Sequence, residues 1–380
     1  MPALNLISLD VPDPPDYGGA IDIYHKIRSL HAAGVEVHLH CFQYGRRVTD
    51  ALRALCKTVH TYPRRVGWLS QLSTLPYIVY SRRSNRLLAN LRANEFPILC
   101  EGLHCTYFLT QGDLADRTVM LRSHNVEHDY YRYLARRETN ALKKLFFLKE
   151  AYLLQRLVDR LPRQLPVAAI SPADSRTLQR EFPRTFWLPP FHANDVVQAR
   201  EGFGRYALYH GNLSVSENSA SAYRLIDRFA GKDVPLVIAG KAPGRKLRER
   251  VKEVTGVRLV PDPEQAQMDE LIADAHVILL LTDQPTGIKL KLIESLYRGR
   301  FCVANPCMVE GTGLAALTVP AGEDVYSTTA GLLDLAFDRK AIEHRGSVLR
   351  EQYDNHRNAL ILLEKLGLSQ GHGLADPVAQ

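Results

Sequence analysis

The sequence has little of what marks exported, membrane-spanning or metal-clustered proteins. Its start, "MPALNLISLD", has no basic segment followed by a long apolar stretch, and no later run approaches the roughly 18 apolar residues of a membrane span. The six cysteines form no C-x-x-C pair, which favours reduced thiols over a zinc or redox site. We therefore expect an unexported cytoplasmic protein without a bound metal.

Acidic residues are scarce in one segment of the chain. The formal net charge of the 380 residues is +7, but Arg46–Arg92 alone carries ten basic residues and one acid, a local charge of +9. Such a segment favours an anionic partner: phosphate, nucleic acid or an anionic membrane surface. Its tyrosines and Trp68 could stack on bases. We instead expect a helical and loop region that binds the cytoplasmic face of an anionic membrane, so that the protein is a peripheral membrane protein.

Short apolar runs alternate with helical periodicity along the whole chain. In the first half "LNLISL", "VEVHLHCF", "PILCE", "TVMLR" and "PVAAI" predict strands, and the longest helix is predicted from about Asn140 to Leu161. After "LPPFHAND", the strands "YALYH", "PLVIAG", "VRLV", "HVILLLT" and "FCVAN" alternate with further helices. Repeated strand–helix–strand units predict parallel sheets covered on both faces.

A chain of this length exceeds what one hydrophobic core usually serves, which predicts two domains. We expect two doubly wound Rossmann-like domains facing across a cleft, at residues 1–188 and 196–340. A helical tail over 341–366 would pack back toward the first domain, and 367–380 would be a flexible end. Ligands of such sheets bind outside the carboxyl ends of the strands, so the loops after the strands carry the candidate chemistry.

Two loops of the first half offer groups for a ligand. Gly18 and Gly19 open a helix directly after the first strand, where free N–H groups suit an anion, although a turn without a ligand is an equal alternative. No G-x-G-x-x-G stands there, so a nicotinamide or flavin cofactor is not expected. His124 follows "TVMLR" and could hydrogen-bond a substrate hydroxyl; a helix-capping turn or a metal pair with His128 are the alternatives. Further candidates in the first half are Asn125, Glu127, Glu101 and His104.

Strand ends of the second half repeat this pattern. Gly211 and Asn212 follow "YALYH" and allow close backbone approach, and Lys241 follows Gly240 at the end of "PLVIAG". Each loop is weak evidence alone, but several anion-friendly loops at equivalent strand ends of one sheet favour a phosphate-bearing ligand.

The stretch "TGIKLKLIES", residues 286–295, alternates like a strand but directly follows a buried strand. We therefore predict a loop and then a helix from about Lys289 to Gly299. Lysines are unfavourable at the positive end of a helix dipole, so Lys289 and Lys291 indicate an anionic ligand such as a diphosphate. Glu294 would then accept hydrogen bonds from vicinal hydroxyls, as in a ribose. The alternative is a solvated helix face with a Lys–Glu pair one turn apart.

Taken in order, "PPDYGGAIDIYHKIRSLHAAGVEVHL", "RSHNVEHDYY", "YHGNLSVSEN", "VIAGK" and "TGIKLKLIESLYRGR" resemble the two-domain GT-B glycosyltransferases, most closely the retaining enzymes of glycosyltransferase family four. The resemblance covers nearly the whole chain. It implies a C-terminal domain that holds a nucleotide-diphosphate sugar, an N-terminal domain that contacts the acceptor, and no cofactor besides this co-substrate.

The resemblance also assigns roles to individual residues. Gly18 and Gly19 would lie near the donor phosphates, His124 near the reacting carbon, and Glu294 on the ribose as the second glutamate of the E-x7-E motif. Fixed cations would stabilise the leaving diphosphate, a catalytic role assigned to Lys289 and Lys241. The other donor-binding candidates are Gly211, Asn212, Gly240, Thr286, Gly287, Ile288 and Lys291, and the acceptor-side candidates are Asn125, Glu127, Glu101 and His104.

Two positions depart from the family pattern. The first glutamate of E-x7-E falls on Thr286, and the arginine and lysine common after the first C-domain strand fall on Asn212 and Asn218. Phosphate charge would then be met by Lys241, Lys289 and Lys291. The sequence leaves three alternatives to a transferase: a GT-B nucleotide-sugar epimerase or hydrolase, a non-catalytic binder of anionic ligands, and a nucleic-acid binder.

Overall fold

The computed structural model describes residues 1–284 and 287–368, without the side chains of residues 68 and 69. The chain forms two compact units. The N-terminal unit consists of Met1–His192 and the chain from Tyr353 onward, and the C-terminal unit is Ala193–Gln352. The predicted boundary at residues 188–196 spans this division. Within the described residues, no helix has the length and apolar composition needed to cross a membrane.

The N-terminal unit is built on a parallel sheet of seven strands in the order β3-β2-β1-β4-β5-β6-β7. Its strands are β1 (Ala3–Ser8), β2 (Glu36–Gln43), β3 (Thr58–Pro63), β4 (Ile98–Glu101), β5 (Val119–Ser123), β6 (Val167–Ala169) and β7 (Thr185–Trp187). Its helices are α1 (Gly18–Ala32), α2 (Asp50–Leu55), α3 (Trp68–Gln71), α4 (Tyr77–Tyr80), α5 (Asn85–Arg92), α6 (Glu127–Arg137), α7 (Ala141–Val158), α8 (Pro172–Leu178) and, from the chain end, α16 (Asn355–Lys365).

Burial explains why the central strands read as continuous apolar runs. All six residues of β1 are buried, as expected for a parallel strand covered on both faces. Helix α1 places Ile23, Ile27 and Leu30 in the core on one face of the sheet. Helix α16 packs on α1 and adds Ala359 and Leu362 to that core, so the end of the chain completes the N-terminal unit.

The C-terminal unit repeats this architecture with a parallel sheet of six strands in the order β10-β9-β8-β11-β12-β13. Its strands are β8 (Ala207–His210), β9 (Leu236–Gly240), β10 (Val257–Pro261), β11 (Val277–Leu280), β12 (Phe301–Ala304) and β13 (Val319–Pro320). Its helices are α9 (Ser216–Phe229), α10 (Arg245–Lys252), α11 (Gln265–Asp274), α12 (Leu290–Arg298), α13 (Pro306–Val309), α14 (Val325–Leu333) and α15 (Arg339–Tyr353).

Both sheets have the doubly wound order 3-2-1-4-5-6 for their first six strands. In each sheet the order in which strands are added reverses between the first and fourth strands. These are β1 and β4 in one unit and β8 and β11 in the other. The crevice at the carboxyl ends of such a strand pair is where ligands of these sheets bind. The predicted α/β class with two Rossmann-like sheets is confirmed.

Two predicted segments differ in detail. The Arg46–Arg92 region, expected to be helix and loop, also holds β3, whose β-branched and aromatic residues pair with β2. The predicted helical tail consists of two helices, α15 and α16. Asp354 separates them by accepting a hydrogen bond from the backbone N–H of Arg357 at 2.6 Å, which caps α16, and α15 stays with the C-terminal unit.

Candidate active site

The crevice of the N-terminal unit lies where β1 and β4 end, with β5 beside β4. Glu101 is the last residue of β4, and His124 directly follows β5. Helix α1 begins at Gly18, after the loop that leaves β1. Three of the predicted site segments therefore meet at one edge of this sheet because the strands that carry them are parallel neighbours.

Beneath this edge lies a buried cluster of charges that the sequence analysis missed. Asp22 of α1 accepts two hydrogen bonds from the Arg122 guanidinium, at 2.9 and 3.1 Å, and one from Lys26 Nζ at 2.9 Å. Lys26 Nζ also donates to Glu101 Oε1 at 2.6 Å. All four side chains are fully buried. Two carboxylates and two cations balance, which makes their burial tolerable.

His124 is held at the top of this cluster. Its Nε2 lies 3.0 Å from Glu101 Oε2 and its Nδ1 lies 3.7 Å from Asp22 Oδ2, while 11% of its side chain stays exposed. The ring is therefore fixed by carboxylates on two sides and still reaches the surface of the crevice. Such second-layer carboxylates commonly orient a functional histidine.

Asp22, Glu101 and His124 also have ligand atoms within 4.8 Å of one another, a spacing suited to a metal ion. The ammonium of Lys26 lies 2.9 and 2.6 Å from the two carboxylates, so it occupies the position of a cation. Burial alone would raise the pKa values of both acids, but Arg122 and Lys26 hold the pKa of Asp22 below its usual range, and Lys26 and His124 do so for Glu101.

The other predicted residues of this unit line the same edge. Glu127 is the first residue of α6; burial, and then the charge of Asp174, raise its pKa to about 7. The backbone carbonyl of Asn125 accepts a hydrogen bond from Ser123 Oγ at 2.7 Å. His104 lies in a 3₁₀ turn, Leu103–Cys105, after β4, and burial together with Arg82 lowers its pKa well below the usual value.

Gly18 and Gly19 form the first turn of α1. This turn contains no acidic residue, and its N-cap, Tyr17, makes no side-chain capping bond. The N–H groups of the first turn have no partner within the helix itself, so they are available to an anion. Tyr17 is held from the other side by Arg46, whose guanidinium carbon lies 4.8 Å from the ring centre.

In the C-terminal unit, the loops after β8 and β9 contact each other through glycines. A Cβ atom on Gly240 would lie 1.8 Å from the carbonyl oxygen of Gly211, so this position accepts only glycine. Asn212 Oδ1 accepts hydrogen bonds from the backbone and hydroxyl of Ser214, at 3.0 and 2.7 Å. Lys241 is exposed at the end of β9. The predicted close backbone approach is thus between two loops of the protein.

Helix α12 begins as predicted, with Lys289 at its N-cap and Gly299 at its C-cap. Lys289 Nζ donates to the carbonyl of Gly287 at 3.0 Å, and Lys291 Nζ donates to that of Leu281 at 3.3 Å. Burial, and then the positive charge of Lys289, lower the pKa of Lys291 to about 8, although Glu217 opposes the shift. Two lysines at a helix N-terminus are therefore held beside each other near the end of β11.

Glu217, which the sequence analysis did not select, shapes the loop beside these lysines. Its carboxylate accepts a hydrogen bond from the Thr282 hydroxyl and another from the Asp283 backbone N–H at 2.9 Å. Glu294 lies 3.7 Å from Arg298, and burial raises its pKa. Ile288 is half-buried. One predicted donor-binding residue, Thr286, lies outside the described residues.

The sequence indicates the buried charges Asp22, Lys26 and Arg122 only weakly. Asp22 and Lys26 are charged residues four apart on a helix, adjacent to its apolar positions Ile23 and Ile27, and Arg122 directly follows the apolar run Val119–Leu121. Charges in such places are seldom buried unless they pair with each other. The sequence alone does not indicate that these three meet, since they are up to 100 residues apart.

Comparison with known proteins agrees with this geometry. Residues 204–336 match the family model "Glycosyl transferases group 1". A Klebsiella pneumoniae protein described as an uncharacterized 44.6 kDa protein in the cps region is 22% identical, over 94% of this chain and 98% of its own.

Solved structures with the same fold include Anabaena HepE in complex with UDP and glucose, at 12% identity and a TM-score of 0.59, covering 97% of this chain and 100% of that one. The catalytic domain of Arabidopsis thaliana starch synthase IV, bound to ADP and acarbose, matches at 10% identity and a TM-score of 0.59, with coverage of 97% and 99%. The chain therefore has the GT-B fold of these structures, and its C-terminal unit contains the segment that matches the glycosyl transferases group 1 model.

Proposed function

We propose that the protein is a glycosyltransferase that moves a sugar from a nucleotide-diphosphate sugar to a lipid-linked or polysaccharide acceptor, with retention at the anomeric carbon. The observation that carries the proposal is the pair Lys289 and Lys291 at the N-terminus of α12, beside the crevice between β8 and β11. The nucleotides bound to HepE and to starch synthase IV support a nucleotide donor. The cps-region relative supports polysaccharide biosynthesis.

The donor residues act on the charge of the leaving group. Glycosyl transfer builds oxocarbenium character on the sugar and negative charge on the departing diphosphate. Lys289, Lys291 and Lys241 stabilise that charge as it develops, and such fixed cations contribute several kcal/mol. The diphosphate replaces the carbonyl partners of Lys289 and Lys291, and Glu294 accepts hydrogen bonds from the ribose.

His124 binds the sugar that is transferred. Glu101 and Asp22 fix its ring so that one edge faces the crevice, where it hydrogen-bonds a hydroxyl of the transferred sugar. Lys26 neutralises part of the charge of the two carboxylates that hold the ring. Asn125 and Glu127 complete the acceptor edge.

Turnover of Lys289→Ala with the correct donor tests this proposal. We expect kcat to fall at least a hundredfold, since one electrostatic donor in such a site contributes about 2.7–4 kcal/mol. Lys252→Ala, an exposed lysine in the last turn of α10, is the matched control and should keep full activity. Unchanged turnover in Lys289→Ala would remove this lysine from the site.

A GT-B epimerase or hydrolase would use the same donor-binding residues. Such an enzyme rearranges or releases the donor sugar without an acceptor, whereas a transferase yields a glycosylated product. Mass spectrometry of the products with and without an added acceptor extract separates the two classes.

The membrane part of the proposal rests on α7 rather than on Arg46–Arg92. Several charges of the latter segment are used internally: Arg82 is buried, Arg46 pairs with Asp16, and Arg92 lies 2.8 Å from Asp113. Helix α7 instead exposes large apolar side chains at helical spacing, namely Leu142 (80% exposed), Leu145 (65%), Leu148 (47%) and Tyr152 (59%).

Basic residues surround this apolar face of α7. Residues 132–163 carry nine basic and three acidic residues, a local charge of +6. Apolar residues flanked by lysine and arginine suit the surface of an anionic bilayer, where each basic residue contributes about 1 kcal/mol. The same face is less suited to nucleic acid, because leucines offer no stacking surface.

Flotation with vesicles containing an anionic lipid tests this docking surface. The wild type should bind at low salt and Leu145→Ser should bind several-fold more weakly; Leu335→Ser, 53% exposed in the C-terminal unit, is the control. Binding to oligonucleotides but not to vesicles would favour the nucleic-acid alternative instead.

A further inference from the structure

Arg82 is a buried cation that has no anionic partner among the described residues. It follows α4, and only 4% of its surface is exposed. Its guanidinium donates to the carbonyl oxygens of Leu9, at 2.9 Å, and Ile78, at 2.6 Å, and it forms no ion pair with any carboxylate of the described residues. A buried charge is costly unless an opposite charge compensates it, so this position is suited to an anion from outside the chain.

The groups around Arg82 are also basic. Arg64 and Arg82 act on each other electrostatically, and both act on His104, which is also influenced by His124. Arg64 has no carboxylate partner among the described residues either; its guanidinium lies over the rings of Tyr44 and Tyr77, at 5.1 and 5.5 Å.

The nearby acids compensate these charges poorly. Asp10 and Glu127 feel the charge of Arg82, but neither forms an ion pair with it. Asp10 lies 3.9 Å from Arg46, and Glu127 has a pKa raised to about 7, so it is partly uncharged at neutral pH. His104 Nδ1 is a buried nitrogen without a hydrogen-bond partner among the described residues.

These groups lie at the edge of the sheet where ligands of such a crevice bind. Leu9, whose carbonyl Arg82 contacts, is in the loop directly after β1, and His104 is in the turn after β4. Arg82 therefore lies near the point where the strand order of the sheet reverses. Helix α4 packs on that turn. The same edge carries His124 and the first turn of α1.

We propose that the crevice between β1 and β4 binds an anionic group of the acceptor, a phosphate or a carboxylate, through Arg82, with Arg64 and His104 as further ligands. This inference rests on the proposed glycosyl transfer and adds the chemical class of the acceptor. A planar guanidinium fixed by two carbonyls presents its remaining N–H groups to such an anion in a preorganised geometry. A neutral acceptor would leave the positive charge uncompensated.

Isothermal titration with matched sugars tests the proposal. The probes are methyl glucuronide and glucose 1-phosphate, each compared with uncharged methyl glucoside. We expect at least one anionic probe to bind the wild type ten or more times tighter than methyl glucoside. Arg82→Gln should lose that preference, whereas Arg53→Gln, an exposed arginine of α2 with the same charge change, should keep it.

Two further variants keep the test decisive. If Arg82→Gln unfolds, Arg64→Gln is used instead and should weaken the anionic probe several-fold. Lys289→Ala should leave the preference intact, because a probe bound at the donor site would respond to that lysine and not to Arg82. Equal binding of anionic and neutral probes, or full affinity in the Arg82 and Arg64 variants, would overturn the inference. Loss of sugar transfer with this preference intact would count against the proposed function alone.

Discussion

Lys26 decides whether two carboxylates can be buried beneath His124. It is fully buried and bridges Asp22 and Glu101 at 2.9 and 2.6 Å. Lys26→Met removes one cation and leaves a buried negative charge uncompensated, so we expect urea denaturation to show a loss of about 3–5 kcal/mol in the free energy of unfolding. Lys57→Met breaks an exposed pair with Glu36, which water and salt screen, and should lower the free energy of unfolding far less. Equal losses in the two variants would contradict the role given to the buried cluster.

Variants of His124 and Glu101 should distinguish the residue that contacts the sugar from the residue that orients it. His124→Ala removes the group that faces the crevice, and Glu101→Gln keeps its shape but weakens its hold on the ring, 3.0 Å away. We expect both variants to lower kcat with the correct donor, His124→Ala more than Glu101→Gln, with little change in nucleotide affinity. A kcat at the wild-type level in His124→Ala would exclude this residue from the site.

At the scale of elements, the contact between the β8 and β9 loops depends on Gly240. A methyl group there would meet the Gly211 carbonyl at 1.8 Å, so one loop must move. We expect Gly240→Ala to lower the free energy of unfolding by about 2 kcal/mol or more. Gly331→Ala, within α14 and with nothing near its Cβ position, should instead stabilise by about 0.5–1 kcal/mol. Thermal melts of both variants check the pair.

The start of α6 should make stability depend on pH. Burial and Asp174 raise the pKa of Glu127 to about 7 from an ordinary 4.5, so the folded state binds this proton more tightly than the unfolded state does. The contribution is complete below pH 4.5 and is lost as the pH rises through 7. The free energy of unfolding of Glu127→Gln, measured relative to that of the wild type, should therefore rise by about 2–3 kcal/mol from pH 5 to pH 8. A difference between the two proteins that does not change with pH would contradict this shift.

Long, strongly patterned elements could be predicted from the sequence and short edge elements could not. The periodicity from Lys289 to Gly299 predicted α12, since a buried strand precedes it and a glycine ends it. Strands β7 and β13, with three and two residues, are too short to leave a period-two pattern. The break at Asp354 was missed because helical periodicity continues across it.

At the scale of the whole molecule, repeated strand–helix units predicted two doubly wound sheets, and the strand orders agree. Candidate residues next to strand ends, such as His124 and Lys241, could be selected because the fold fixes where such ends lie. Asp22, Lys26 and Arg122 could not, because their meaning depends on contacts between segments up to 100 residues apart.

Thermal shift shows most directly whether a nucleotide-diphosphate sugar donor binds at the N-terminus of α12. UDP, GDP, ADP and dTDP, each bare and sugar-linked, are added to the wild type, Lys289→Ala and Lys252→Ala. A ligand at 100 times its Kd stabilises the native state by about 2.7 kcal/mol, which corresponds to a Tm rise of several degrees. We expect such a rise with one nucleotide family in the wild type and in Lys252→Ala, and no such rise in Lys289→Ala. No rise with any nucleotide, or an equal rise in all three proteins, would contradict this expectation.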